Sequence, residues 1–401
     1  MSLRVGVVGC GAFSPGFIIL FKAHPLVESV VLCDHDADKL AAAAERHGIA
    51  ETRSSLEELC ADASVDAVAL FTQNWLHGPQ AAAALRAGKH VYSAVPTGIT
   101  VEEVTDLVEA AAGTDRLYML GETSYYYPGV VYCRGRFRAG DFGRPVYAEA
   151  EYLHDFSHGL YGVMKSRGGR EWKRFAGSPP MQYPTHSTSQ VLSVTGARMT
   201  HVSGHGFVDD HEDGLFRAGS NQWANEFSNE TAFFRLSDGS ACRIAEMRRV
   251  GIPGGVRMSL YGTAGSFEQH ASGVRWLTAN RAETEALEEL LTGTGIPGPQ
   301  AGDGVFESVA PVHPVHRLPR QFRDLPNGHR GSHQFLVDDF VRASVDGVLP
   351  PNNAWAAARY MLPGLAAHES ARRGGELLEI TDLGDPPSTP VEYDEPAPGG
   401  A

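Results

Sequence analysis

No two of the five cysteines, Cys10, Cys33, Cys60, Cys133 and Cys242, have the CxxC spacing of a zinc site or a redox pair. Their number is odd, and they are expected to be reduced thiols. The sequence also lacks any uninterrupted apolar run of the roughly 18 residues that a membrane span needs. Basic residues are in deficit, with 34 Lys plus Arg against 48 Asp plus Glu and a formal net charge of -14. Such a surface repels a phosphate backbone and an anionic bilayer, so neither nucleic acid nor a membrane is an expected partner. The opening MSLRVGVVGCGAF enters a strand pattern directly, with no basic stretch, long apolar run and small-residue cleavage site before it. The expected location is the cytoplasm. No internal repeat is visible.

With 401 residues, two domains are the default expectation. Up to about Leu120, short apolar β-rich runs (RVGVVG, VESVVLCD, VDAVALFT, HVYSAV, LYMLGE) alternate with helical stretches (DADKLAAAAERHG, HGPQAAAALRAGK, TVEEVTDLVEAAAG). Gly48, Gly88 and Gly113 stand where a left-handed cap is favoured. This alternation predicts a doubly wound parallel sheet over residues 1–122. The pattern changes after Pro128. PVYAEAEYLHD, ETAFFRLSDGSACRIAEMRRV and VRMSLYGTAGSFEQ alternate with the period of an antiparallel sheet. Helices are expected at THSTSQVLSVTG, at SHQFLVDDFVRASVDG and near 352–373, the last kinked at Pro363 and packing back on the first domain. Residues 271–330, rich in Gly and Pro, form an excursion with one helical insert at RAETEALEELL and could serve as a lid. The expected fold class is therefore α/β, an N-terminal Rossmann sheet followed by an α+β domain over 123–383 with a large, mostly antiparallel sheet. The tail 384–401 is expected to be disordered.

The stretch VVGCGAFSPG places Gly9 and Gly11 directly after the first strand, with Ala12 and Phe13 completing the turn and Ser14 where a third glycine often stands. The first glycine permits the turn and the second lets the backbone approach a pyrophosphate at a helix N-terminus. Asp34 ends the second strand, where a carboxylate binds the adenosine ribose. Asp34 and Asp36, with no arginine beside them, would repel a 2′-phosphate, so the expected cofactor is NAD in preference to NADP. Thr72, Asn74 and His77 follow another strand at its carboxyl end, where ligands bind in such sheets, and Pro96 follows the next. His77 serves equally as a ligand contact, a helix cap or a core histidine.

VGVVGCGAFS, VDAVALFTQNWLH, ALRAGKHVYSAVPTGIT and FLVDDFVRASVDGVLPPNN resemble the glucose-fructose oxidoreductase, inositol dehydrogenase and MocA family over most of the chain. In that family the third segment usually reads AGKHVxxEKPxxxT, and its lysine assists proton transfer from a sugar hydroxyl. Here Ala94, Val95 and Pro96 stand in place of Glu-Lys-Pro. The family's DxxxH pair falls on Gln182 and His186, so only the histidine is kept. VPTGIT, YMLGETSYYYP, GRPVYAEAEYLHDF and YPTH look more like its NAD-dependent α-N-acetylgalactosaminidase branch, which carries Val at the lysine position. Ala94 and Ser187 depart from that branch, which often has Glu and Gly there.

The resemblance implies catalytic roles for Glu122, Tyr152, His154, Tyr183 and His186, with a sugar or glycoside as substrate and a homo-oligomer, a dimer or tetramer, as the assembly. Three functions stay open: hydride transfer on a sugar hydroxyl or ketone, redox-neutral glycoside hydrolysis by oxidation, elimination, water addition and reduction, and NAD and sugar binding without turnover. His186 is of a residue type that titrates near neutrality and is expected near a helix N-terminus, which suits a general base and equally a helix cap or a packed core residue. Tyr183 could donate a proton or stand as an ordinary aromatic before Pro184. Glu122 closes a predicted strand, where a dry setting would raise its pKa for acid or base work and a wet one would leave it in a surface salt bridge. No metal site is expected, since His154 and Asp155 point to opposite faces of a strand.

Overall fold

The computed structural model describes residues 2–252, 254–280, 284–293 and 309–394. The chain divides into two units, one of Met1–Tyr127, Gly293–Ala358 and Leu383–Ala401, the other of Pro128–Thr292 and Arg359–Asp382.

The first unit contains six parallel strands, β1 (Leu3–Val8), β2 (Val27–Cys33), β3 (Thr52–Arg53), β4 (Ala67–Leu70), β5 (His90–Ser93) and β6 (Tyr118–Leu120). They lie in the order β3-β2-β1-β4-β5-β6, with the reversal between β1 and β4. This is the doubly wound dinucleotide-binding arrangement, whose ligand sites lie beyond the carboxyl ends of the strands at the reversal. Val5, Val7, Val31, Leu32, Val68, Leu70 and Val91 are wholly buried, which is why these strands read as continuous apolar runs. Three of the helices between strands start under side-chain caps: Asp36 accepts from the Lys39 amide, Ser55 from Glu58 and Thr100 from Glu103. Gly48 and Gly88 adopt the expected left-handed conformation at φ 60° and 78°. Gly113 does not: at φ -85° its amide bonds the Glu109 carbonyl and the helix ends without a left-handed turn.

The described residues 309–358, within the range expected for the second domain, group with this first unit. The physical reason is the helix His333–Asp346, which buries Phe335, Leu336, Val337, Phe340 and Val341. Its Asp338 meets His24, from the β1–β2 crossover, at 3.1 Å. Arg317 is buried beside it, 2.8 Å from both Asp338 and Asp339 and donating to the Tyr126 hydroxyl at 2.8 Å, while that hydroxyl donates to Asp339. Within the tail, Glu392 and Tyr393 make side-chain contacts with residues of the first unit. The Arg342 guanidinium lies 3.8 Å over the Tyr393 ring, Tyr393 donates to Asp346 at 2.9 Å, and Tyr125 donates to Glu392 at 3.0 Å. An aromatic and a carboxylate in an otherwise Pro-rich tail provide these attachments. Residues 395–401 lie outside the described residues.

The second unit is built on β7 (Pro145–Leu153), β8 (Met199–Val208), β9 (Phe227–Leu236), β10 (Ala241–Met247), β11 (Gly255–Gly262), β12 (Gly265–His270), β13 (Gly273–Thr278), β14 (Glu285–Ala286) and β15 (Leu378–Glu379). Their order is β14-β13-β12-β11-β7-β10-β9-β8-β15. All neighbours are antiparallel except β7 and β10, which run parallel. One face is covered by the helix Thr185–Thr195, which packs on β7, β10 and β11. The helix Ala354–Arg372 continues across Pro363. Beside that proline, a Cβ on Gly364 would stand 2.3 Å from the Met181 carbonyl, so only glycine permits this close approach. The helical insert expected at RAETEALEELL is reduced to Glu288–Leu291, because Glu285–Ala286 pairs with β13 as a strand instead. Of the 271–330 excursion, residues 281–283 and 294–308 lie outside the described residues, and with them the lid expectation.

Candidate active site

In the first unit the turn after β1 is set by backbone geometry. Gly9 has φ 95°, and a Cβ there would stand 2.6 Å from the Phe71 carbonyl oxygen. A Cβ on Gly11 would meet nothing within 4 Å. The two glycines therefore differ. Gly9 is required by the turn itself, whereas Gly11 leaves open an exposed stretch before the helix Pro15–Ala23, the place where a pyrophosphate would approach backbone amides. This cradle fits a dinucleotide. Gly9→Ala is expected to lower the unfolding free energy by about 1–3 kcal/mol, whereas Gly11→Ala should leave it unchanged and weaken NAD binding. Denaturant unfolding and NAD titration of both variants separate the two roles, and equal stability losses would refute the distinction.

Asp34 is nearly buried at the end of β2. Its carboxylate accepts from the Cys10 amide at 2.7 Å and the Asp36 amide at 2.9 Å, which fixes it beside the loop. Burial, then the Asp34 charge, pushes the Cys10 thiol up to about 12, so it is inert at neutral pH. Phe13 packs its ring against Phe17, Phe71, His329 and His333. Ala12 is exposed in the turn, and Asn74 opens the short helical turn Asn74–Leu76. His77 is buried with Nδ1 3.1 Å from the Pro96 carbonyl and Nε2 3.1 Å from the Thr72 carbonyl, so its ring ties the loops that follow β5 and β4. The Val95–Pro96 peptide is cis. Glu122 is wholly buried after β6, where it accepts from the Ser124 amide at 2.8 Å. Burial, and then the Glu122 charge, holds the Tyr92 phenol well above its usual value.

In the second unit four of the expected residues come together. Tyr152 and His154, two apart near the end of β7, share one face of the sheet, with the Tyr152 hydroxyl 2.7 Å from His154 Nδ1. Tyr183 and His186 sit at the start of the helix Thr185–Thr195. The buried His186 ring is edge-on to Tyr152 at 5.1 Å and to Tyr183 at 5.3 Å, and the two tyrosine rings are 6.1 Å apart. Asp155 turns away to accept from Ser157 and from the Val250 and Gly251 amides. Burial opposes its charge, but these bonds outweigh burial and hold the carboxyl well below the usual range. Among the described residues no group of three or more His, Cys, Asp or Glu side chains could hold a metal ion.

The cluster contains residues beyond those expected from sequence. Glu246 is wholly buried, accepting from Ser187 Oγ at 2.6 Å and from Arg248 at 3.2 Å. The Arg248 guanidinium lies 5.0 Å over the Tyr152 ring. Burial pushes the Glu246 carboxyl up to about 7, against the lowering pull of Arg248, Ser187 and His186. One signal was legible: in ACRIAEM, two-residue alternation puts Glu246 on the apolar face of Cys242 and Ile244.

One chain thus carries a parallel sheet with a glycine loop after its first strand, and a mixed sheet bearing a tyrosine–histidine cluster. Residues 3–122 match the oxidoreductase family with an NAD-binding Rossmann fold. Over those residues the chain is similar to the glucose-fructose oxidoreductase, inositol dehydrogenase and MocA family. It is 32% identical over 198 residues to a glycosyl hydrolase family 109 protein of Shewanella amazonensis, covering 47% of this chain and 44% of that protein. The chain thus spans less than half the length of that relative. A second protein of the same name, from Saccharopolyspora erythraea, is 24% identical over 420 residues, 99% of this chain and 86% of the relative. In fold, the chain is similar to levoglucosan dehydrogenase in complex with NADH, with TM-score 0.74, 19% identity and coverage of 96% and 100%. It is also similar to myo-inositol 2-dehydrogenase from Lactobacillus plantarum, with TM-score 0.68, 18% identity and coverage of 95% and 100%. No helix among the described residues is long and apolar enough to cross a membrane.

Proposed function

We propose that the protein transfers a hydride between NAD and a hydroxyl or ketone of a sugar or glycoside. The observation that carries this reading is the buried His186 imidazole edge-on to Tyr152 and Tyr183, in a chain whose glycine loop suits a dinucleotide. Bound NAD supplies the hydride acceptor. His186, in the first turn of its helix, takes the hydroxyl proton, because the helix N-terminus disfavours the imidazolium and keeps a base available. Tyr183 holds the oxygen that becomes a carbonyl, and the Tyr152–His154 pair passes the proton on. Glu122 has the burial that an acid–base role needs. Asp34, with Asp36 beside it, favours NAD over NADP, and Lys39 is already paired with Asp36 at 3.2 Å. Gly9, Gly11, Ala12, Phe13, Thr72, Asn74, His77 and Pro96 complete the cofactor-binding set.

The sheet face opposite the helix Thr185–Thr195 carries the ion pairs Arg243–Glu149, Arg243–Glu151 and Arg257–Glu151 with exposed Phe233 beside them, which supports a homo-oligomer, a dimer or tetramer. The net charge and the reduced thiols suit the cytoplasm.

A second reading is redox-neutral glycoside hydrolysis. It is favoured by Val95 at the family's lysine position and by relatives named as glycosyl hydrolases. Oxidation at C3 acidifies the C2 proton, the leaving group departs, water adds and the carbonyl is reduced again. Mass spectrometry of products from glycosides and free sugars in heavy water, with NADH absorbance followed, tests both. A keto-sugar formed one-for-one with NADH supports the dehydrogenase. Aglycone release with deuterium at C2 and no lasting NADH supports the hydrolase. Binding without product would support a non-catalytic NAD and sugar receptor.

A further inference from the structure

We propose that Glu246 is a positioning residue of the second unit's cluster, tying the helix-borne Tyr183–His186 pair to the strand-borne Tyr152–His154 pair. The strand register puts three polar side chains in one row beneath the helix Thr185–Thr195. Glu246 on β10 lies directly opposite Glu230 on β9 and opposite Tyr152 on β7. All three project toward the helix, because Cys242 and Ile244, on the same face of β10, are buried there.

The two acids hold the same segment from its two ends. Glu230 accepts from the Met181 amide at 2.8 Å and is itself held by His368 Nδ1 at 2.7 Å. Glu246 accepts from Ser187 Oγ at 2.6 Å. Tyr183 and His186 lie between these two grips. The second oxygen of Glu246 accepts from Arg248, whose guanidinium covers the face of Tyr152. One carboxylate therefore reaches the helix through a hydroxyl and the neighbouring strand through a guanidinium. A leucine would satisfy the alternation of β10 equally well and would avoid the cost of burying a charge. A wholly buried acid at this row fits a role in orienting the cluster.

The charged and titratable groups facing Glu246 are Arg248, just past the end of β10, Glu230 from β9, Tyr152 from β7 and His186 from the helix. When ionised, Glu246 favours the His186 imidazolium, whereas the helix N-terminus disfavours it.

The inference rests on His186 as the base, and its test is chosen to stand apart from that reading. In the full-length protein, the His186 imidazole is titrated by NMR with carbon-13-labelled histidine, in the parent and in Glu246→Gln. The midpoint is expected to fall by about one pH unit in the variant, and turnover by about tenfold, with NAD affinity unchanged. A folded Glu246→Gln protein whose His186 titrates as in the parent overturns the proposal. Should that variant fail to fold, Ser187→Ala, which cuts only the hydroxyl arm, decides the matter: displaced or broadened His186 resonances support the tie and unchanged ones refute it. If no sugar is turned over, the titration still reads the tie, so the two readings fail separately.

Discussion

Replacing His186 with glutamine is expected to lower turnover of the active sugar by about 10²- to 10⁴-fold, with NAD affinity unchanged. Glutamine keeps a polar side chain of similar reach but has no titratable nitrogen, so the loss isolates proton transfer from packing. The buried ring is edge-on to two tyrosines, and the replacement keeps most of the contact area. NAD affinity is unaffected because the glycine loop and Asp34 belong to the other unit. Steady-state NADH formation, paired with NAD titration, checks both halves. Turnover within threefold of the parent would remove His186 from the mechanism.

The largest stability effect is expected at Arg317. Replacing it with methionine leaves Asp338 and Asp339 buried without their shared cation, and unfolding free energy should fall by about 3–5 kcal/mol in denaturant titration. The loss depends on pH. Burial already pushes the Asp339 carboxyl up to about 6, against the lowering pull of Arg317. Without the arginine the carboxyl rises further, so the folded state binds a proton that the unfolded chain, near 4, has released. Stability of the variant should therefore fall as pH rises from about 4 through that higher value, and the deficit against the parent should be smaller at pH 5 than at pH 8. A deficit that is constant with pH would place the cost in packing instead of charge.

The parallel sheet was legible because buried parallel strands are continuous apolar runs and three of the helices between them start under Asp36, Ser55 and Thr100 caps. β3 was not, since a two-residue edge strand leaves no periodic signal. The parallel pairing of β7 with β10 was equally hidden: alternation reports which residues share a face but not which way a neighbour runs. The grouping of residues 309–358 with the first unit could not be read because it depends on Arg317, Asp338 and His24 meeting across most of the chain, and each looks like an ordinary surface polar residue in sequence. Tyr152, His154, Tyr183 and His186 were singled out by resemblance, and their convergence needed β7 and the helix Thr185–Thr195 to pack. Glu246 could have been found from the residues alone, as an acid on the apolar face of a strand. Its neighbour Arg248 could not, because its place over Tyr152 is a matter of three dimensions.

The first unit is assembled from three separated stretches of chain, and this has a consequence during synthesis. When Tyr127 leaves the ribosome all six strands of the parallel sheet are present, yet Arg317 and the helix His333–Asp346, which meet Tyr126 and His24, are still unmade. At about 5–20 residues per second, the nascent sheet waits on the order of tens of seconds with that apolar surface uncovered. Over that interval the growing chain is a natural client for ribosome-associated chaperones, and a chain stopped after Tyr127 should be recovered bound to them or aggregated.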